Sequence, residues 1–208
     1  MEEFLGMIVT CRLLTVACCF VGTATLAAEP TRTFKCEGPF GREATHAKLA
    51  SKYGAANIAT EYDGEADAEV TILFPNDPER RLRVQWKDQK ARRNPGYFTI
   101  EGRSSWSVAG VTIGTSLIEL ERLNDGPFKL NYFEGDYGGA ITDWLKGRFD
   151  APVSGGCVLG AFVGIDEQLP ESKALDEEVT PDRSLHSSGA KLRAAKPVVS
   201  KMIVSFPR

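Results

Sequence analysis

The sequence predicts an α+β domain made of two halves, each a short helix plus an antiparallel sheet, with a C-terminal strand returning to the sheet. Three observations carry this. Val70, Ile72 and Phe74 alternate along one strand, Leu82, Val84 and Trp86 alternate along the next, and Pro75-Asn-Asp-Pro78 between them is turn chemistry. Ser116 and Glu119 have capping-box spacing at the head of Leu117, Leu120 and Leu123, which recur on one face of a helix. The chain closes on the apolar stretch from Val198 to Phe206, a strand that needs a sheet to dock on.

Residues 1–28 read as a secretory leader. Arg12 precedes a short apolar run from Leu13 to Val21 and a small-residue end at Ala27-Ala28. The run is too short to span a bilayer, which takes roughly 20 apolar residues. Met7 as the start places Arg12 in an ordinary basic leader, and cleavage fits after Ala27 or Ala28. Three of the five cysteines, Cys11, Cys18 and Cys19, leave with it. Cys36 and Cys157 then remain in an oxidising compartment, periplasmic or extracellular, and are expected to pair.

Residues 29–165 form the two-half domain. A Pro- and Gly-rich lead-in reaches a helix over Ala44–Tyr53, ended by Gly54, and then a short strand over Asn57–Glu61. The Val70–Trp86 hairpin follows, with its six alternating apolar residues expected in one core and Arg81, Arg83 and Gln85 facing away. A charged loop to Asn94 leads into a strand at Tyr97–Glu101. The second helix, from Ser116, stops at Asp125-Gly126-Pro127. Strands are expected at Phe128–Tyr132, Ile141–Leu145 and Cys157–Val163, with a turn at Glu134–Gly139. Residues 166–197 shift to Pro, Glu, Asp, Ser and Lys and read as a polar linker, before the docking strand at 198–206.

The order helix, strand, hairpin, strand thus occurs twice, from Ala44 to Gly102 and from Ser116 to Val163 with the terminal strand. The stretch Gly110-Val-Thr-Ile-Gly-Thr-Ser-Leu-Ile-Glu-Leu-Glu-Arg-Leu-Asn-Asp-Gly-Pro-Phe128 resembles a strand–helix opening shared by two groups. One is the beta-lactamase inhibitor protein with its tandem helix-plus-sheet repeats; the other is the small lipoproteins of outer-membrane assembly. Phe74-Pro-Asn-Asp-Pro-Glu-Arg-Arg81, Gly114-Thr-Ser-Leu117 and Asp136-Tyr-Gly-Gly139 are similar to a group of uncharacterised secreted bacterial proteins. The resemblance implies a fold more than an activity.

For function, the near-neutral balance (net charge −3) argues against a nucleic-acid binder. His46 and His186 lie far apart without ligand-spaced partners, so no metal or other cofactor is expected. No Gly-x-Ser-x-Gly elbow or phosphate loop occurs. The favoured patch is Tyr132-Phe-Glu-Gly-Asp-Tyr137. Glu134, Asp136 and Tyr137 supply contacts there, and Trp144 is a rigid anchor if it points outward. This predicts a non-enzymatic binding module with an envelope or extracellular protein as partner. The alternative is a hydrolase of envelope glycans or peptides using Glu134 and Asp136, which requires the two acids to face each other across a cleft. A second candidate surface is the basic run Arg80, Arg81, Arg83, Lys87, Lys90, Arg92 and Arg93, with a solvated sheet face as its plainer reading.

Overall fold

The computed structural model describes residues 32–64, 67–180 and 182–207, so the leader expected at 1–28 lies outside the described residues. Strand β1 (Arg32–Phe34) pairs in parallel with β6 (Trp106–Val108). Helix α1 (His46–Tyr53) is capped by the Thr45 hydroxyl, which accepts from the Lys48 amide, and is ended by Gly54. Strands β2 (Ile58–Asp63), β3 (Ala68–Leu73), β4 (Leu82–Asp88) and β5 (Arg93–Glu101) then run as an antiparallel meander. Strand β5 starts earlier than expected and contains Pro95. Its lost donor is tolerated there because Pro95 lies beside the Gln85/Trp86 register shift and beyond the end, at Tyr97, of the pairing with the C-terminal strand β11 (Val198–Ser205).

The second half opens with α2 (Leu117–Leu123). The Ser116 hydroxyl accepts from the Glu119 amide, but the Glu119 carboxylate turns to Arg122, so the box is only half made. Strands β7 (Lys129–Asn131), β8 (Ile141–Asp143) and β9 (Val158–Gly164) follow. Helix α3 (Pro170–Lys173), strand β10 (Ser184–His186), helix α4 (Ala190–Ala194) and strand β11 (Val198–Ser205) complete the chain. The main sheet has the order β2-β3-β4-β5-β11-β9, and a three-stranded sheet has the order β10-β7-β8. A bridge between Ala140 and Phe162 brings the smaller sheet to the free edge of β9. The architecture is α+β. The last strands of the two halves, β5 and β11, pair at the centre, so the terminal segment completes the sheet. Cys36 and Cys157, 121 positions apart, are joined by a disulfide.

One face of the main sheet is the core. Leu73, Leu82, Val84, Trp86, Phe98, Ile100, Leu159, Ala161, Val163, Met202 and Val204 meet Leu49 of α1 and Leu117 and Leu120 of α2 there. Phe34, Phe40, Phe98 and Trp106 pack ring to ring with centroids 4.9–6.2 Å apart.

Two expectations are corrected. The hairpin residues do not share one core. The register sets Thr71 opposite Val84, Ile72 opposite Arg83 and Leu73 opposite Leu82. Directly opposed residues share a face, so Val70 and Ile72 lie on the outer side, buried beneath charged neighbours, outside the cluster that holds Leu82, Val84 and Trp86. Phe74 rejoins the core because its backbone turns left-handed (φ 54°) and breaks the alternation. Arg83 is therefore a half-covered outer-face residue held between Asp63 (2.7 Å) and Glu101.

Residues 166–197 are not a linker. They contribute α3, β10, α4 and a 3-10 turn at Ala174–Glu177, and they bury Leu175, Leu185 and Leu192. The Glu178 carboxylate accepts from the first amides of α4, at Lys191 (2.9 Å) and Leu192 (3.2 Å), which locks the segment onto itself.

Candidate functional site

The β7–β8 connection, residues 132–140, is fixed from both sides. The Asn131 amide donates to the Ala140 carbonyl (2.8 Å) and its side-chain amide donates to the Tyr137 carbonyl (3.2 Å). The Val163 amide donates to the Gly139 carbonyl (2.9 Å), which attaches the turn to β9. Gly139 is required twice over. Its φ is 72°, and a Cβ would sit 2.0 Å from the Val163 carbonyl oxygen.

On this turn Tyr137 is 71% exposed, and Glu134 and Asp136 are exposed beside it. Glu134 is ion-paired with Arg183, whose guanidinium stacks over the Tyr132 ring at 4.7 Å. The Tyr132 hydroxyl donates to Asp176, and this bond, with a smaller contribution from burial, pushes the phenol pKa up. The segment read as a linker thus clamps the base of the turn through Arg183 and Asp176. Both acids are exposed, and Glu134 is turned to the Arg183 cation.

Trp144 is not a surface anchor. It is 8% exposed, its indole donates to the Leu159 carbonyl (3.2 Å), and it packs on Phe128 and Phe149 at 5.5 and 5.1 Å. Trp86 and Trp106 are likewise core residues.

Four of the seven cations in the basic run face carboxylates. Arg80 pairs with Asp77 and covers the Phe74 ring at 3.7 Å. Arg81 pairs with Glu61 and Arg93 with Asp88, while Arg92 donates to the Thr60 hydroxyl. Burial opposes the charge on Arg83, but Glu101 and Asp63 outweigh it and raise its pKa. Exposed ion pairs of this kind contribute little each, and among the described residues Lys87, Lys90 and Arg92 face no carboxylate.

Sequence reasoning missed the outer face of the main sheet. The pairings place Tyr97 opposite Ser205, Thr99 opposite Ile203, and Lys201 opposite both Glu101 and Phe162. Tyr97, Ile203 and Phe162 are half-buried, belong to no part of the core, and share this face with Val158 and Gly160. The Lys201 ammonium lies 4.1 Å from the Phe162 ring centre. Because Ala140 opposes Phe162, the exposed turn stands at the border of this face. The alternation of Lys201, Ile203 and Ser205 against Met202, Val204 and Phe206 was the signal available for it.

His46, at the start of α1, shares the Thr71 hydroxyl (2.9 Å) with the Trp86 indole (2.8 Å). His186 contacts the Ser188 hydroxyl (2.6 Å). Among the described residues no group of three or more His, Cys, Asp or Glu is placed to hold a metal ion, and no helix is long and apolar enough to cross a membrane. No family model, curated protein or solved structure matches this chain.

Proposed function

We propose that this chain is a non-enzymatic binding module of the periplasm or extracellular space. It engages a protein partner through the outer sheet face and the Glu134–Tyr137 turn at its border. The observation that carries this is the set of half-buried side chains Tyr97, Ile203 and Phe162 on one sheet face, with the exposed Tyr137 on the turn that reaches Phe162 through Ala140. Aromatic side chains on a rigid sheet lose little conformational freedom on contact and bring large apolar area, which suits them as anchors. Glu134, Asp136 and Arg183 supply a charged rim to the same surface. The disulfide and the leader-like residues 1–28 support the compartment. The hydrolase alternative gains nothing from the geometry, since the acid pair stands open on a turn with one member bound to arginine. The resemblance to the inhibitor protein with tandem repeats is of a piece with this reading, at the level of fold alone.

The test is affinity capture from envelope extract. The wild-type protein is compared with Phe162→Ala and with the double variant Asp136→Ala, Tyr137→Ala, each first checked by circular dichroism. Both variants are expected to lose a partner that the wild type retains. Equal recovery by both folded variants removes this face from consideration.

A further inference from the structure

A concavity lies on a different part of the molecule, apart from the sheet face. It has a volume of about 310 Å³ and sits between β1 and the loop ahead of β9. Phe34, Ala109, Pro152 and Val153 make its apolar lining, and Lys35 and Arg148 stand at it with exposed side chains. The walls are held together. The disulfide joins the residue after Lys35 to the Val153–Cys157 turn, the Cys36 amide donates to the Ser154 carbonyl (3.4 Å), and the Ser154 hydroxyl donates to Glu37 (3.0 Å).

Among the described residues, two cations without a carboxylate partner line this one apolar concavity. Arg80, Arg81, Arg83, Arg93, Arg103, Arg122, Arg183 and Arg193 each face a carboxylate. Among the described residues neither Lys35 nor Arg148 does; Arg148 lies only against the ring of Phe149, at 5.8 Å. Two uncompensated cations over an apolar floor form a complementary site for an anion carried on an apolar body. The volume falls at the small end of the range for organic ligands.

We propose that this pocket binds a small aromatic or branched-chain carboxylate, with the apolar body on Phe34 and Val153 and the carboxylate between Lys35 and Arg148. Arginine suits a planar carboxylate because its paired N–H groups match the two oxygens.

The probe is naphthoate, titrated into the purified protein by calorimetry alongside the neutral analogue naphthamide. Naphthoate is expected to bind, at least about tenfold tighter than naphthamide, and to weaken as salt is raised across a range that screens surface charge. The double variant Lys35→Gln, Arg148→Gln alters only exposed side chains. It is expected to keep the wild-type melting temperature and to lose at least about tenfold in naphthoate affinity while leaving naphthamide unchanged. A third variant, Val153→Trp, fills the floor and is expected to abolish binding of both. Absence of naphthoate binding at millimolar concentration overturns the proposal. So does equal affinity for acid and amide, or undiminished binding by the folded double glutamine variant.

Discussion

The two halves hold their outer strands by different means. In the first half β2 and β3 are six residues each, β4 seven and β5 nine, and they form one continuous ladder. Neighbouring strands follow each other in sequence, so local hairpins suffice. In the second half β7 and β8 have three residues each, too few for a ladder to specify them. Their places are set by buried polar side chains that lie outside the strands. Asn124 is fully buried; its side-chain amide donates to the carbonyls of Gly126, Pro127 and Trp144, and its oxygen accepts from the Phe149 amide. Ser187, also fully buried, accepts from the Phe128 amide (2.9 Å) and donates to Glu121 (2.6 Å), which in turn holds Arg193. The disulfide adds a covalent tie between the beginning of the described chain and β9. Ladder and apolar face organise one half; buried polar groups and a cross-link organise the other.

The largest expected effect attacks the apolar face of the first half. Val84→Asp places a carboxylate in the centre of the core, at a cost of several kcal/mol, and should leave the chain unfolded by circular dichroism. Ile72→Asp is the control for register. Although Ile72 is just as buried, its acid arises on the outer face beside the charged group of Arg83, Asp63 and Glu101 and not in the apolar core. It should stay folded, with a lowered melting temperature. Equal unfolding by both variants would break the assignment of the two residues to opposite faces.

Removing the covalent tie comes next. With 121 positions between the cysteines, the chain-entropy model values the bond at about 4 to 5 kcal/mol. In Cys36→Ser, Cys157→Ser, urea unfolding should show that loss. Hydrogen exchange should accelerate most at β7, β8 and β9, with β3 and β4 least affected. Uniform acceleration would mean that the halves do not differ in the way described. Asn124→Leu, close in volume, leaves the Trp144 carbonyl and the Phe149 amide without their side-chain partner. It should cost about 2 to 4 kcal/mol, as unpaired buried groups do. A change below about 1 kcal/mol by thermal melting would show that the polar network is dispensable.

The same contrast explains what the sequence made legible. The first-half hairpin was readable because Pro75-Asn-Asp-Pro78 and two alternating runs are local signals. Its register was not, because a single left-handed residue, Phe74, swaps which face the alternation points to. The disulfide was readable by compartment and count. The polar segment was misread because Leu175, Leu185 and Leu192 stand singly among charged neighbours, and only the sites that receive them reveal their burial. Trp144 could not be oriented, since its ring partners Phe128 and Phe149 lie on other elements. At the candidate face, Tyr137 and the two acids were readable as turn residues. Tyr97 and Phe162 were not, because their common exposure arises only when β11 inserts between β5 and β9.

The smallest expected effect probes a polar chain inside the first half. The Thr71 hydroxyl, fully buried, accepts from the Trp86 indole and is left to donate to Nδ1 of a neutral His46. A protonated ring would offer Thr71 a second donor and leave the hydroxyl proton without a partner. Burial, and secondarily the charge of Arg92, hold the His46 pKa below its ordinary value. The folded state therefore favours the neutral ring, while the unfolded chain takes up its proton near pH 6.5. The resulting stability is fully present above that value and is lost as pH falls through the lower folded pKa. His46→Gln keeps an acceptor for Thr71 without a titrating ring. Melting temperatures of wild type and variant should run parallel above pH 7, and below pH 6 only the wild type should show the added decline. That window lies above the range in which Asp88, Glu119 and Asp182, all with lowered pKa values, take up protons. Parallel curves down to pH 5 would mean that the ring accepts a proton without disturbing Thr71, and that the first half depends on its apolar face alone.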